Sequence, residues 1–210
     1  TQVNAMETGK RKANVSDGNL DEARVAAVKT ITAEYRAPYL AHAQMEPLNC
    51  TALVEGGKCE IWVGVQDGLA TRAAAANALG IAKEDVTVHL LPLGGGFGRR
   101  GGGVMDLVDR LVRVAAQLDG PVKVIWSREE DMRQGAYRPA CVSQFEAGLD
   151  GSGKPTFWTN VHIMDEEAEA VHIPYSVEAQ VIESVEAPTH VPYGPWRSVA
   201  SSQAIGRAHV

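Results

Sequence analysis

At 210 residues, with 45% hydrophobic and 22% charged positions, the chain has the composition of an ordinary soluble globular protein. A domain of this length buries roughly 70% of its unfolded surface and needs no disulfide or metal staple. The formal net charge of −6 argues against a nucleic-acid partner, since the only basic run is Lys10, Arg11 and Lys12 near the terminus. No stretch approaches the roughly 18 apolar residues of a membrane span, and no signal peptide opens the chain, so cytoplasmic and periplasmic locations both stay open. Cys50, Cys59 and Cys141 are odd in number and lack CxxC spacing, which predicts neither a disulfide framework nor a zinc or iron–sulfur site. Cys59 alternates with Ile61, Val63 and Val65 and reads as a small core residue.

In chain order, residues 1–18 are polar and rich in turn formers and read as an extended lead-in. Asn19 followed by Glu22 has capping-box form and predicts a helix with Val25, Val28, Thr32 and Tyr35 on one face, stopped by Pro38. Cys50–Glu55 and Cys59–Val65 read as strands joined at Gly56-Gly57, a hairpin signal. Asp67-Gly68 introduces an Ala-rich helix that ends at Gly80, and Val86–Leu91 returns as a strand.

A glycine-rich stretch, Gly94 to Gly103, leads into the clearest helix. Val104, Leu107, Val108, Leu111, Val112, Ala115 and Leu118 form its apolar stripe. Asp106 with Arg110, and Asp109 with Arg113, are spaced as i,i+4 ion pairs. Val122–Trp126, Cys141–Gly148, Thr156–Ile163 and Val177–Val185 complete the strands, with Asp150-Gly151-Ser152-Gly153 as a turn. Strands mixed with single helices predict a mixed α/β (α+β) fold in one domain over residues 1–210, not a clean doubly wound sheet.

Strand, glycine loop, helix is a geometry that offers backbone N–H groups and a positive helix end to an anion. Arg99 and Arg100 add cationic forks at that loop. The segment has neither the GxxxxGK[ST] nor the GxGxxG form, so by itself it is equally a flexible connection. His42 reads as a satisfied buried imidazole, since no second histidine stands at i+3 or i+4, and Glu46 before Pro47 reads as a structural hydrogen-bond acceptor.

Four segments occur in order: His42-Ala43-Gln44-Met45-Glu46-Pro47, Gly94-Gly95-Gly96-Phe97-Gly98-Arg99-Arg100, Trp126-Ser127-Arg128-Glu129-Glu130-Asp131-Met132, and Gly194-Pro195-Trp196-Arg197-Ser198-Val199 through Ser201-Ser202-Gln203. Together they resemble the molybdopterin-binding large subunit of the xanthine oxidase family, in the branch of isoquinoline 1-oxidoreductase and the membrane-bound aldehyde dehydrogenases. Two intervals fit the resemblance, since Gln66 lies 31 residues before Phe97 and Arg197 lies six before Gln203. The resemblance implies a molybdenum cofactor, molybdopterin in its cytosine dinucleotide form. It implies that Gln66 faces the metal's oxo ligand, and that Gly95, Gly96, Phe97, Gly98, Arg99, Arg100 and Gln203 line the cofactor. Arg197 would orient substrate or stabilise developing negative charge.

The implied reaction hydroxylates an electron-poor carbon of an aldehyde or N-heterocycle. Electrons would leave to a [2Fe–2S] subunit and onward to an acceptor such as a c-type cytochrome. Some features depart from the family pattern. Gly101 stands where the xanthine oxidase branch has a substrate-contacting acid, which speaks against purine recognition. The stretch from Trp158 to Pro174 is shorter than the branch's. The family's general-base glutamate has no counterpart before Val210, so the chain reads as a partial molybdopterin-binding domain that needs the remainder of the large subunit. Its expected state alone is inactive. The competing readings are a non-catalytic module that retains the fold and a free-standing nucleotide-binding domain.

Overall fold

The computed structural model describes residues 2–101, 105–163, 173, 175–186 and 191–197, with side chains from Ala5 onward. These form the mixed α/β fold expected, in two compact units. The first comprises Thr1–Leu40, Pro139–His190 and Ser198–Val210; the second comprises Ala41–Arg138 and Val191–Arg197.

In the first unit the stretch read as a lead-in is structured. It forms helix α1 (Gln2–Thr8) and strand β1 (Arg11–Asp17). The reason is Met6, which is buried against Val142, Ile163 and Val185, a contact that no local pattern in the terminal sequence announces. Helix α2 (Leu20–Ala26) starts where expected, with Asn19 Oδ1 accepting from the Asp21 and Glu22 N–H groups. It then ends early. Lys29–Ala37 is strand β2, not a continuation of the helix, and Val25 is 88% exposed. Thr30, Ile31, Thr32 and Tyr35 are β-branched or aromatic, and all nine residues pair with β7 (Cys141–Leu149). That ladder outweighs an apolar spacing that happens to fit a helix as well.

The five-stranded sheet has the order β1-β9-β8-β7-β2, with β8 (Pro155–Ile163) parallel to β9 (Ala179–Val185) and the other pairs antiparallel. Phe157 and Ile163 lie on one face of β8, an even number of positions apart, and α1 and α2 both pack on that face.

The second unit is a two-layer sandwich. Its sheet has the order β5-β4-β3-β6 and is built from β3 (Asn49–Glu55), β4 (Lys58–Val63), β5 (Val86–Leu90) and β6 (Val122–Ile125). Helices α3 (Gly68–Leu79) and α4 (Asp106–Ala115) cover one face. Cys50, Ala52, Cys59, Ile61, Val63 and Val86 point inward to meet Leu107, Val108, Leu111, Val112 and Ala115. Cys59 is thus the core residue its alternation predicted. Leu118 is exposed beyond the end of α4, and Val104 lies outside the described residues. Asp109 pairs with Arg113 at 2.9 Å as expected. Asp106 does not pair with Arg110, because Arg99 takes it, and Arg110 lies over the Trp126 ring instead.

The β4–α3–β5 crossover places the site. Asp67 caps α3 and Gly80, at φ +68, closes it, so β5 returns parallel to β4 with Val63 opposite Leu90. Both strands therefore end at the same edge of the sheet, where Gln66 follows one and the glycine loop follows the other.

One buried group makes the stability of the first unit pH-dependent. Asn160 donates from Nδ2 to the Gln144 carbonyl, so its Oδ1 accepts from Nδ1 of His162. Burial lowers the His162 pKa from 6.5 to about 4. The unfolded chain takes up this proton below pH 6.5 and the folded chain does not. The contribution is therefore intact above pH 6.5 and is lost as pH falls toward 4, by up to about 3 kcal/mol. Urea unfolding followed at pH 7.5, 5.5 and 4.5 will show this decline, and His162→Phe will flatten it. An unchanged slope in the variant would assign the decline to other groups.

Candidate functional site

The glycine loop is a folded object. Gly95 at φ +97, Phe97 at φ +52 and Gly98 at φ +103 turn the chain repeatedly, and Phe97 accepts a left-handed conformation that β-carbon residues avoid. Phe97 is 41% exposed, so it is not a core plug. Gly96 must lack a β-carbon because the Gln66 amide occupies that place, and Gly98 must lack one because the Pro195 carbonyl does.

Gln66 is fixed at both ends. Its backbone N–H donates to the Arg100 carbonyl at 2.9 Å, and its side-chain Oε1 accepts from the Gly98 N–H at 2.9 Å. The second bond settles which way the amide faces. With Oε1 taken up by the loop, Nε2 of this exposed residue remains as a donor of two hydrogen bonds. Gln66, 31 residues before Phe97 in sequence, is thus in direct contact with the neighbouring Gly98. Among the described residues, no protein group accepts from the N–H of Gly95, Gly96 or Phe97.

Arg99 and Arg100 differ from expectation. Both are 2% exposed and committed to the protein, so neither side chain is a free fork for an anion. Arg99 grips both Asp106 oxygens, at 2.7 and 3.0 Å, and lies over the Trp126 ring. Arg100 donates to the Gly64 carbonyl at 2.9 Å and the Glu46 carbonyl at 2.8 Å, and pairs with the Glu46 carboxylate at 3.1 Å. Glu46 in turn accepts from the Gly94 N–H and from Asn49, both at 2.7 Å, the structural role its position before Pro47 suggested. Burial works to raise the Glu46 carboxyl, but those hydrogen bonds and Arg100 outweigh it and leave the group below the usual carboxylate range.

Arg197 reaches the same loop through its backbone, whose N–H donates to the Phe97 carbonyl at 2.9 Å. Its side chain is exposed. Gln203 lies outside the described residues.

A family model described as the molybdopterin cofactor-binding domain matches residues 4–188. The chain belongs to this family. The molybdopterin-binding domain is 37% identical over 119 residues to the isoquinoline 1-oxidoreductase subunit beta of Brevundimonas diminuta, covering 55% of this chain and 15% of that protein. It is 31% identical over 142 residues to a membrane-bound aldehyde dehydrogenase of Gluconacetobacter polyoxogenes, covering 67% and 18%. Among solved structures, quinoline 2-oxidoreductase from Pseudomonas putida 86 superposes with a TM-score of 0.78 at 20% identity, over 95% of this chain and 28% of that one. The chain thus spans less than a fifth of the curated relatives' length and just over a quarter of that structure's.

Several residues that hold the domain's loop together were not singled out from sequence. The Trp126–Met132 segment leads into a short helix α5 (Arg128–Arg133) capped by Ser127. It carries the buried Asp131, which accepts from Gln44 Nε2 at 3.1 Å and from Arg128 at 2.9 Å, while Arg128 also donates to the Met45 carbonyl at 2.9 Å. Gln44 is 1% exposed. The two motifs occurred together in the sequence, and the structure shows them bonded to each other through Gln44, Arg128 and Asp131.

Replacing Arg100 with Ala leaves the Gly64 and Glu46 carbonyls facing a hole and the Glu46 carboxylate without its cation. The loss expected is about 3 kcal/mol, because removing one member of a buried pair strands the other. Thermal and urea unfolding of Arg100→Ala will measure it. A loss under about 0.5 kcal/mol would mean that the side chain is free for a ligand after all.

Proposed function

We propose that Gln66, the Gly95–Gly98 backbone and Arg197 form the protein wall against the metal end of a molybdopterin cofactor, in the cytosine dinucleotide form, within a molybdenum hydroxylase. The observation that carries this reading is the Gly98 N–H bond to Gln66 Oε1, which turns the amide donors outward. Such a group suits a metal-bound oxygen, an acceptor, and would suit an ammonium or metal cation poorly. The N–H groups of Gly95, Gly96 and Phe97 offer further donors on the same loop, and the exposed Phe97 ring offers an apolar edge.

When bound, the cofactor supplies the redox chemistry that hydroxylates an electron-poor carbon. The chain's own residues orient and stabilise. Gln66 would donate a hydrogen bond to the metal end of the cofactor, and the exposed Arg197 would meet substrate or developing negative charge. The names of the relatives point to aldehydes and N-heterocycles as the substrate class. The remainder of a larger subunit, a [2Fe–2S] subunit and a c-type cytochrome acceptor complete the reading. Gly101, in place of an acid, leaves the loop without a carboxylate for purines.

The test is Gln66→Leu in the full-length protein, with molybdenum measured by elemental analysis. Because Gln66 is exposed, the variant should fold with stability within about 1 kcal/mol of the parent. It should keep its molybdenum and lose roughly 10²–10³-fold in kcat, the scale of a lost electrostatic donor. Unchanged turnover, or a parent protein without molybdenum, would reject the assignment.

A further inference from the structure

His42 has no place in the site described above, and its surroundings give it one. Ala43 takes a left-handed backbone, φ +45, which a residue with a β-carbon adopts only under constraint. The consequence is that His42 and Gln44, on either side of it, are both buried. Gln44 goes to Asp131. His42 goes to the segment that carries Arg197, with its Nε2 2.8 Å from the Pro195 carbonyl oxygen. A carbonyl can only accept, so Nε2 carries the proton. The imidazole also meets the Trp196 ring edge-on, with centroids 6.1 Å apart, and the Arg138 guanidinium lies over that ring.

Among the described residues of 191–197, no helix or multi-residue strand forms. A single bridge, Tyr137 with Tyr193, fixes its start, through Tyr137 N–H to Pro192 O and Gly194 N–H to Tyr137 O, both at 3.0 Å. Beyond it, the Pro195 carbonyl lies against Gly98 and Arg197 N–H reaches Phe97 O. His42 therefore acts at the residue between the bridge and Arg197.

We infer that His42 is a positioning residue: its Nε2–H bond to Pro195 sets where the Arg197 segment lies against the Phe97–Gly98 loop. Through that bond the His42–Pro47 motif, which touches the loop by Glu46 at one end, also holds the opposite wall at the other. The inference deepens the substrate-side reading of Arg197 and rests on it for its functional consequence, though its structural half stands alone.

Two variants separate the hydrogen bond from the packing. His42→Phe keeps a ring beside Trp196 and removes the donor, and His42→Gln places an amide N–H near the Nε2 position. In the full-length protein, amide exchange in a peptide covering 194–197 should rise about tenfold in His42→Phe, with α3 exchange unchanged, and return toward the parent in His42→Gln. Turnover should show KM raised with kcat less affected in His42→Phe, and rescue in His42→Gln. Parent-like exchange in His42→Phe would overturn the inference. So would a rise of equal size in α3, because His42 would then be only a core residue. If exchange behaves as expected and KM does not move, the positioning stands and the role of Arg197 falls. Loss of molybdenum from the parent would reject the cofactor reading without touching the exchange result.

Discussion

The buried guanidinium of Arg100 is the constraint on which the site depends. It satisfies the Gly64 carbonyl at the end of β4, the Glu46 carbonyl and the Glu46 carboxylate. Two pieces of chain, at Glu46 and at Gly64, are therefore tied to the loop by three bonds to one cation. The backbone of Arg100 adds a fourth link, since its carbonyl accepts from Gln66 N–H. A planar fork with five donors in fixed directions can make these contacts at once, where a lysine would supply a single flexible point charge. Arg99 braces the other side of the loop against Asp106 and Trp126. The loop's conformation is thus set by the protein before any ligand arrives, which is the condition for a site that need not reorganise on binding.

That rigidity carries strain. Phe97 and Ala43 both have positive φ without being glycine, and each costs on the order of 1–2 kcal/mol relative to relaxed backbone. In both cases the strain does something visible. At Phe97 it leaves the residue 41% exposed, with its ring against Gly95. At Ala43 it puts His42 and Gln44 inside together, one facing Pro195 and the other Asp131. The glycines beside these positions work by absence, because Gly96 and Gly98 leave room for Gln66 and Pro195.

Much of the second unit was legible in sequence, because its signals are local. The Gly56-Gly57 hairpin, the Asp67 and Gly80 caps and the α4 stripe each act through neighbours a few residues away. The first unit was less so. Lys29–Ala37 carries an apolar spacing compatible with a helix, and only pairing with β7, more than a hundred residues later, decides for strand. The site divides the same way. The 31-residue interval from Gln66 to Phe97 fitted the resemblance, and the β4–α3–β5 crossover gives its physical reason by bringing the two strand ends together. The roles of Arg99 and Arg100 were hidden, since two arginines on a glycine loop read as anion forks until Asp106 and Glu46 are seen to occupy them. Nothing within a few residues of His42 announces Pro195, which lies 153 positions away.

The central claim is that a loop held by Arg100 presents the Gln66 amide outward to a metal-bound oxygen. A crystal structure of the full-length protein with molybdenum, located by anomalous scattering, tests it most directly. The account predicts that Gly98 N–H still donates to Gln66 Oε1, and that Nε2 lies within about 3 Å of an oxygen on the metal. A metal found away from Gln66, or an amide turned so that Nε2 faces the loop, would contradict it.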